Sequence, residues 1–250
     1  MLRFICVAIL FSCQIISFSQ NKTYQFGDSI ITFVERNASS SSKILFINVH
    51  ENEWTSVEAL NAFDSTARYH FVYLKHSGLR RVGFNQKDNL HSVDPNRIFS
   101  STGIEVTLNQ DSSYSKKAEK MAKAFAKEIL NFVTSSSWII SLHNNTPNNY
   151  SIMSYLPDSS EALNTKEVYI NEKMDPDDFI YTTDLSLFSK LKYLQINVIL
   201  QDNENCVDDG SLSIYCGKRN IPYANVEAED GHLTEQIFLI SELINHIHPQ

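Results

Sequence analysis

The stretch Ile44-Leu45-Phe46-Ile47-Asn48-Val49-His50-Glu51-Asn52-Glu53-Trp54 decides how the chain is read. Its first six residues are almost all apolar, with several β-branched or aromatic side chains. That is the pattern of a buried strand in a parallel sheet. The run stops at His50, Glu53 follows three residues later, and a helical pattern begins near Trp54. Open α/β sheets bind ligands at the carboxyl ends of their strands. A histidine and a carboxylate at such an end suit zinc, which takes nitrogen and oxygen ligands. The motif is H-x-x-E and not H-E-x-x-H, because Trp54 stands where the second histidine would be. Alone it is a short match that chance also produces, and a polar strand end would look the same. The weight therefore falls on a third ligand and a base elsewhere in the chain.

The chain has 250 residues, enough for one α/β domain with a well-buried core. Its formal net charge of -8 argues against a nucleic-acid partner, which would need a basic face. Residues 1–20 read as a secretory signal: Arg3 is the positive start, 4–11 is an apolar core too short to span a membrane, and Ser17-Phe18-Ser19 offers small residues for cleavage. This places residues 21–250 in the mature domain, secreted or periplasmic, with no transmembrane anchor expected. Lipidation at Cys13 is the competing reading, and the short apolar stretch before it favours ordinary cleavage. Of four cysteines, Cys206 and Cys216 lie beyond the signal, and an exported chain is expected to pair them.

Outward from 44–54 the patterns alternate. Gly27-Asp28 reads as the turn of an edge hairpin between Tyr24-Gln25-Phe26 and 30–34. A helix is expected over 54–67 and a buried strand over 71–74. Residues 77–113 read as one long irregular segment, the kind that is functional or disordered when it occurs in a compact domain. A helix over 116–133 has Ala118, Met121, Ala122, Phe125, Ile129 and Phe132 on its apolar face. The strand 138–142 ends at His143. Beyond it come extended pieces near 151–155 and 167–170, a helix near 185–191, a strand over 196–200 and a short helix over 211–218. A strand over 223–226 ends at Glu227, and a last helix covers 233–246. This alternation predicts a single α/β domain, doubly wound, with a mainly parallel sheet and helices on both faces.

His50, His143 and Glu227 thus each fall at the carboxyl end of a separate predicted strand, and in a parallel sheet those ends share one edge. His50, Glu53 and His143 make a three-ligand zinc set with a fourth position left for water. Zinc acidifies that water and polarises a carbonyl. Glu227 is then free to move the proton. Glu229 is its rival, since alternation puts both on one strand face, although Glu229 falls into the turn at Asp230-Gly231.

The order H-x-x-E, D-P-N-R-x-F (94–99), L-H-N (142–144) and a late V-E (226–227) resembles the zinc carboxypeptidases and their relatives, the aspartoacylase and succinylglutamate desuccinylase group. His50-Glu51-Asn52-Glu53 and Leu142-His143-Asn144-Asn145-Thr146 look like the acylase branch. The resemblance spans about residues 44 to 231. It implies a carboxypeptidase-like α/β fold with Zn2+ on His50, Glu53 and His143. It implies Asn96 and Arg97 as the pair that holds a substrate carboxylate, a task that suits a planar guanidinium. It puts Arg80 or Arg81 at the developing oxyanion and makes Glu227 the general base. The chain departs from the pattern at Ser141, where the acylases often carry Asp. No tyrosine matches the one carboxypeptidases place over the substrate, and only one helix follows Glu227, without the extra C-terminal domain of typical acylases.

The implied activity is hydrolysis of C–N bonds in small peptides, with N-acyl amino acids as the alternative substrates. A non-catalytic relative that binds peptide or wall fragments is the second alternative, against which the full ligand set and base argue. His70, His76, His91, His246 and His248 read as surface or loop residues, and Asp94, before Pro95, as a turn former; His232, close to the presumed base, reads equally as a residue touching the site and as a helix N-terminal one.

Overall fold

The computed structural model describes residues 19–38, 40–86, 89–111, 114–147 and 149–247. The signal-sequence reading, and Cys13 with it, falls on residues outside them. In chain order the elements are β1 (Ser19–Phe26), β2 (Ser29–Arg36), β3 (Ile44–Asn48), α1 (Trp54–Phe63), β4 (His70–Lys75), β5 (Val82–Gln86), β6 (Asn89–Val93), α2 (Ser101–Asn109) and α3 (Lys116–Val133). There follow β7 (Trp138–Asn145), β8 (Thr165–Tyr169), β9 (Phe179–Thr182), α4 (Leu185–Tyr193), β10 (Val198–Gln201), α5 (Leu212–Gly217), β11 (Tyr223–Glu229) and α6 (Leu233–Ile247).

Nine strands form one mixed sheet in the order β1-β2-β4-β3-β7-β11-β9-β10-β8. Its centre, β4-β3-β7-β11, is parallel throughout. β1 and β8 point the same way, while β2, β9 and β10 run against them. The sheet is buried on both faces, so its central strands are mostly apolar, as 44–49 predicted. In β3 the alternation divides the core: Leu45 and Ile47 join α2, α3 and α5 on one face. Ile44 and Phe46 join α1, α4 and α6 on the other. No helix among the described residues is long and apolar enough to cross a membrane.

α3 shows how pattern becomes packing. Ser115 caps it by accepting from Ala118 N, and Ala118, Ala122, Phe125, Ala126, Ile129 and Val133 are buried at helical spacing. Phe125 is fully buried against Tyr24, Phe26 and Phe33 of the edge hairpin, which contributes about 1.5–3 kcal/mol. Met121 and Phe132 lie at the margin of that face, partly buried. The hairpin itself forms as expected, with Phe26 opposite Ser29.

Several expectations need correction. The 77–113 segment is not irregular: it holds the antiparallel pair β5-β6, a 3-10 turn at Pro95–Arg97 and α2. α1 stops at Phe63, four residues earlier than expected, because the buried Asp64 carboxylate accepts from the N–H groups of Arg68 and Tyr69 and holds the chain in a turn. Residues 152–155 form a 3-10 turn rather than a strand, and β9 was not anticipated. The disulfide is absent: Cys206 and Cys216 are both free and buried. Cys216 projects from α5 into the apolar core, whereas Cys206 follows the turn at 202–205 and is not part of that core cluster.

Candidate metal centre and its cavity

The parallel centre of the sheet brings the predicted residues to one edge. Glu227 and His143 sit side by side in the β11–β7 register. Both strands run past them to Glu229 and Asn145, two residues beyond the predicted ends. His50 follows β3, and its carbonyl accepts from Glu53 N at 3.1 Å, closing the turn into α1. Glu53 occupies the capping position of α1 but makes no side-chain cap bond. Its carboxylate goes to the histidines instead: Oε2 lies 2.7 Å from His143 Nδ1 and Oε1 lies 2.9 Å from His50 Nδ1. The two Nδ1 atoms are 3.1 Å apart, and all three residues are buried.

The Asp94 carboxylate, which only accepts, fixes the tautomer of His50, while the Ser141 hydroxyl, which both donates and accepts, is compatible with either tautomer of His143. His50 Nε2 is 2.8 Å from Asp94 Oδ1, so it donates its proton there, and His143 Nε2 is 3.0 Å from Ser141 Oγ. With the His143 proton on Nε2 as well, two nitrogen lone pairs and two carboxylate oxygens converge on one buried point. That arrangement is repulsive unless a proton or a cation sits among them. Ligands on a tetrahedral ion with bonds of 2.0–2.1 Å lie roughly 3.3 Å apart, close to the spacing found. The residues therefore fit a divalent metal of the zinc type. They also form the more buried of two groups of potential ligands among the described residues. In the protein without an ion, burial opposes charge on His50, but the carboxylates of Glu53 and Asp94 outweigh it and raise its proton affinity. Burial pushes Glu53 up, and the two histidines overcome that and hold it far below the carboxylate range.

A polar network clamps the centre. Asn48 donates to Ser56 Oγ at 2.8 Å and to Leu142 O at 3.1 Å. Asn144 Oδ1 accepts from Ser56 N at 2.8 Å, and its amide donates to Gln236 at 2.9 Å. Gln236 in turn donates to His143 O at 2.9 Å. Two strands, β3 and β7, and two helices, α1 and α6, are thus tied to the ligands.

Asp94 does more than form a turn. Beyond holding His50, its Oδ1 accepts from Asn96 N at 2.8 Å, and its Oδ2 lies 3.3 Å from Arg80 Nε. Arg80 also contacts Glu53. Of the two candidate arginines, Arg80 lines the cavity. Arg81 is turned away from the centre, bonded to Ser92, Thr107, Gln110 and Asp111. It holds β6 against α2, and the expectation that left Arg81 open for the site is corrected.

The cavity beside the ligands measures 410 Å³. It is lined by Asn96, Arg97 and Glu227 as well as Glu53, Arg80 and His143. Asn96 Oδ1 accepts from Leu212 N at 3.1 Å, which pins the start of α5. Arg97 pairs with Asp209 at 3.5 Å. Glu227 is 6% exposed and accepts from Asn225 at 2.9 Å. Burial raises its proton affinity, against the pull of His143. Glu229 lies outside the cavity lining; its N–H donates to Asp178, as His232 Nδ1 also pairs with Asp178. Tyr150, Tyr155, Tyr181 and Tyr223 line the cavity too, with Tyr150 and Tyr155 bonded hydroxyl to hydroxyl. Burial, then the charge of Glu227 for Tyr150 and the neighbouring Tyr150 for Tyr155, lifts both phenols well above their usual value. Sequence reasoning missed these tyrosines, together with Asn48, Asn144 and Gln236. Asn48 and Asn144 are polar residues beside the histidine motifs, whereas the tyrosines and Gln236 carry no such signal.

No known family profile and no curated protein sequence matches the chain. Solved structures of like architecture include murein-tripeptide amidase MpaA from Escherichia coli O157, at 12% identity and a TM-score of 0.47, covering 96% of each chain. Thrombin activatable fibrinolysis inhibitor stands at 12% and 0.48, covering 92% of this chain and 69% of the other. An aspartoacylase family protein from Mesorhizobium loti stands at 12% and 0.47, covering 91% and 66%. At this level the likeness is one of fold and assigns no residue a role. In architecture the chain is similar to amidase, metallopeptidase and aspartoacylase family proteins.

Proposed function

We propose that the chain is a zinc-dependent hydrolase of C–N bonds that acts outside the cytoplasm on small peptides with a free carboxyl terminus. The carrying observation is the convergence of His50, Glu53 and His143 beside a cavity whose wall holds Glu53, His143, Glu227, Arg80 and Arg97. When bound, the ion supplies a Lewis acid and an acidified water. The rest of the chemistry falls to the chain. Arg97, with the Asn96 amide, holds the substrate carboxylate through paired hydrogen bonds and so fixes which bond meets the ligands. Glu227 takes a proton at its carboxylate and returns it to the leaving nitrogen; its raised proton affinity suits both halves of that task. Arg80 turns its guanidinium to the oxygen that gains charge. The signal-like segment at 1–20 supports export.

The test is a turnover screen of short peptides beside N-acyl amino acids, with Glu227→Gln as the paired variant. Peptide hydrolysis that falls by roughly 10²–10⁴-fold in the variant, with metal retained, is the expected result. Turnover confined to N-acyl amino acids would overturn the peptidase assignment. A metal-loaded protein that binds peptides without cleaving any would make it a binding relative. Loss of metal together with activity would make Glu227 a ligand.

A further inference from the structure

The cavity has a second wall that the hydrolytic chemistry does not use. It is built by residues 150–164, and Glu161 stands in it just before the 3-10 turn Ala162–Asn164. The backbone of Glu161 is pinned on both sides. Its N–H donates to Ser154 O at 3.0 Å, and its carbonyl accepts from Asn164 N and from Thr165 Oγ1, each at 3.0 Å. The carboxylate, by contrast, has one long hydrogen bond among the described residues, 3.5 Å from the Asn164 amide.

The charges of the lining set this residue apart. Four acids line the cavity: Glu53, Glu161, Asp209 and Glu227. Glu53 belongs to the ligand set, Asp209 pairs with Arg97, and Glu227 has the proton-moving position. Among the described residues Glu161 makes no ion pair, yet its charge is felt at Arg97, Tyr150 and Tyr155. It lines the same cavity as Arg97, the group that would hold the substrate carboxylate. The surfaces around it are aromatic: Tyr150, Tyr155 and Tyr181 line the cavity, and among the described residues Ile214 is the one aliphatic side chain that does. A carboxylate among aromatic faces is the chemistry that receives a cation on an aliphatic stem. A plain hydrocarbon side chain would desolvate Glu161 and return nothing for it.

We propose that Glu161 makes this wall a subsite for a cationic side chain, so that the preferred substrate residue carries an ammonium or guanidinium group besides the carboxylate held at Arg97. The inference rests on the peptidase reading above. Within it, the leaving residue is lysine-like or arginine-like, its α-carboxylate at Arg97 and its side-chain cation at Glu161. A carboxylate–ammonium contact in a partly enclosed site corresponds to roughly 10-fold selectivity or more.

The experiment compares metal-loaded wild type with Glu161→Gln and Glu161→Lys on N-acylated dipeptides that end in lysine, norleucine or glutamate. Calorimetric binding of free lysine and norleucine is measured on the same preparations. Wild type should favour lysine over norleucine by at least 10-fold in kcat/KM, carried mainly in KM. The ratio should fall toward one in Glu161→Gln and shift toward glutamate in Glu161→Lys. Equal use of lysine and norleucine by wild type would overturn the proposal. So would equal losses on both in Glu161→Gln, the mark of a merely structural residue. If nothing is hydrolysed, binding decides: lysine bound more tightly than norleucine, with the difference lost in Glu161→Gln, keeps the subsite and sinks only the peptidase reading. No such difference sinks both.

Discussion

Replacing Asp94 tests how the metal centre is supported. Its Oδ1 takes His50 Nε2 and Asn96 N–H, each at 2.8 Å, and its Oδ2 lies 3.3 Å from Arg80. Asp94→Ala removes all three contacts. His50 would then be free to rotate and its Nδ1 would be a weaker donor; loss of such a partner costs ~10–100-fold in metal affinity. The Asn96 N–H would lose its acceptor in a partly buried turn, at ~1–3 kcal/mol of stability. Because that turn carries Arg97, the same variant should also raise KM. Asp94→Asn keeps an oxygen for Asn96 N–H and removes the charge, so it should restore the stability more fully than the metal affinity. The assay is competition for zinc against a chelator of known affinity, with denaturant unfolding on the same samples. Metal affinity within about twofold of wild type in Asp94→Ala would refute the reasoning, because the His50–Asp94 contact would then contribute nothing to the centre.

Three further outcomes follow from the structure. A Cβ on Gly103 would press on Gly210 Cα and lie 2.5 Å from Arg97 O and 2.8 Å from Asp209 O, all backbone atoms that cannot yield. Gly103→Ala should therefore cost ~1–3 kcal/mol, read by thermal unfolding, and raise KM while zinc binding stays intact. Burial raises the Glu227 carboxyl in the fold above its unfolded value, so the metal-free protein should lose stability as pH rises from about 4.5 through the folded value. Glu227→Gln should remove that part of the slope in denaturant unfolding between pH 4 and 8. Both cysteines should resist alkylation in the native protein, since burial raises the Cys206 thiol and pushes Cys216 up to about 12. Mass spectrometry after non-reducing denaturation should find two free thiols.

The sheet centre was legible because strands buried on both faces are predominantly apolar. Each of the three that matter leads to, or runs through, a residue able to ligate or move a proton: His50 just past β3, His143 within β7 and Glu227 within β11. The 77–113 region hid its structure. β5 and β6 do alternate, burying Val82 and Phe84 against His91 and Val93, but each strand has only five residues and polar ends. α2 buries Ile104 and Leu108 four residues apart, yet it opens with Ser101-Thr102-Gly103, which reads as loop. His91, taken for a loop residue, is 2% exposed and stacks on Phe84. The choice between Arg80 and Arg81 could not be made from sequence, because neighbours in a turn point in unrelated directions. The cysteine pairing failed for another reason: closeness in sequence says nothing about side-chain direction, and Cys216 on α5 points into the core.

Metal content tests the central claim most directly. Elemental analysis of purified protein should find one zinc per chain in wild type and none in the His50→Ala, His143→Ala double variant, provided the variant remains folded by circular dichroism. Wild type that holds no stoichiometric metal after exposure to zinc, or a folded double variant that holds as much as wild type, would contradict the account.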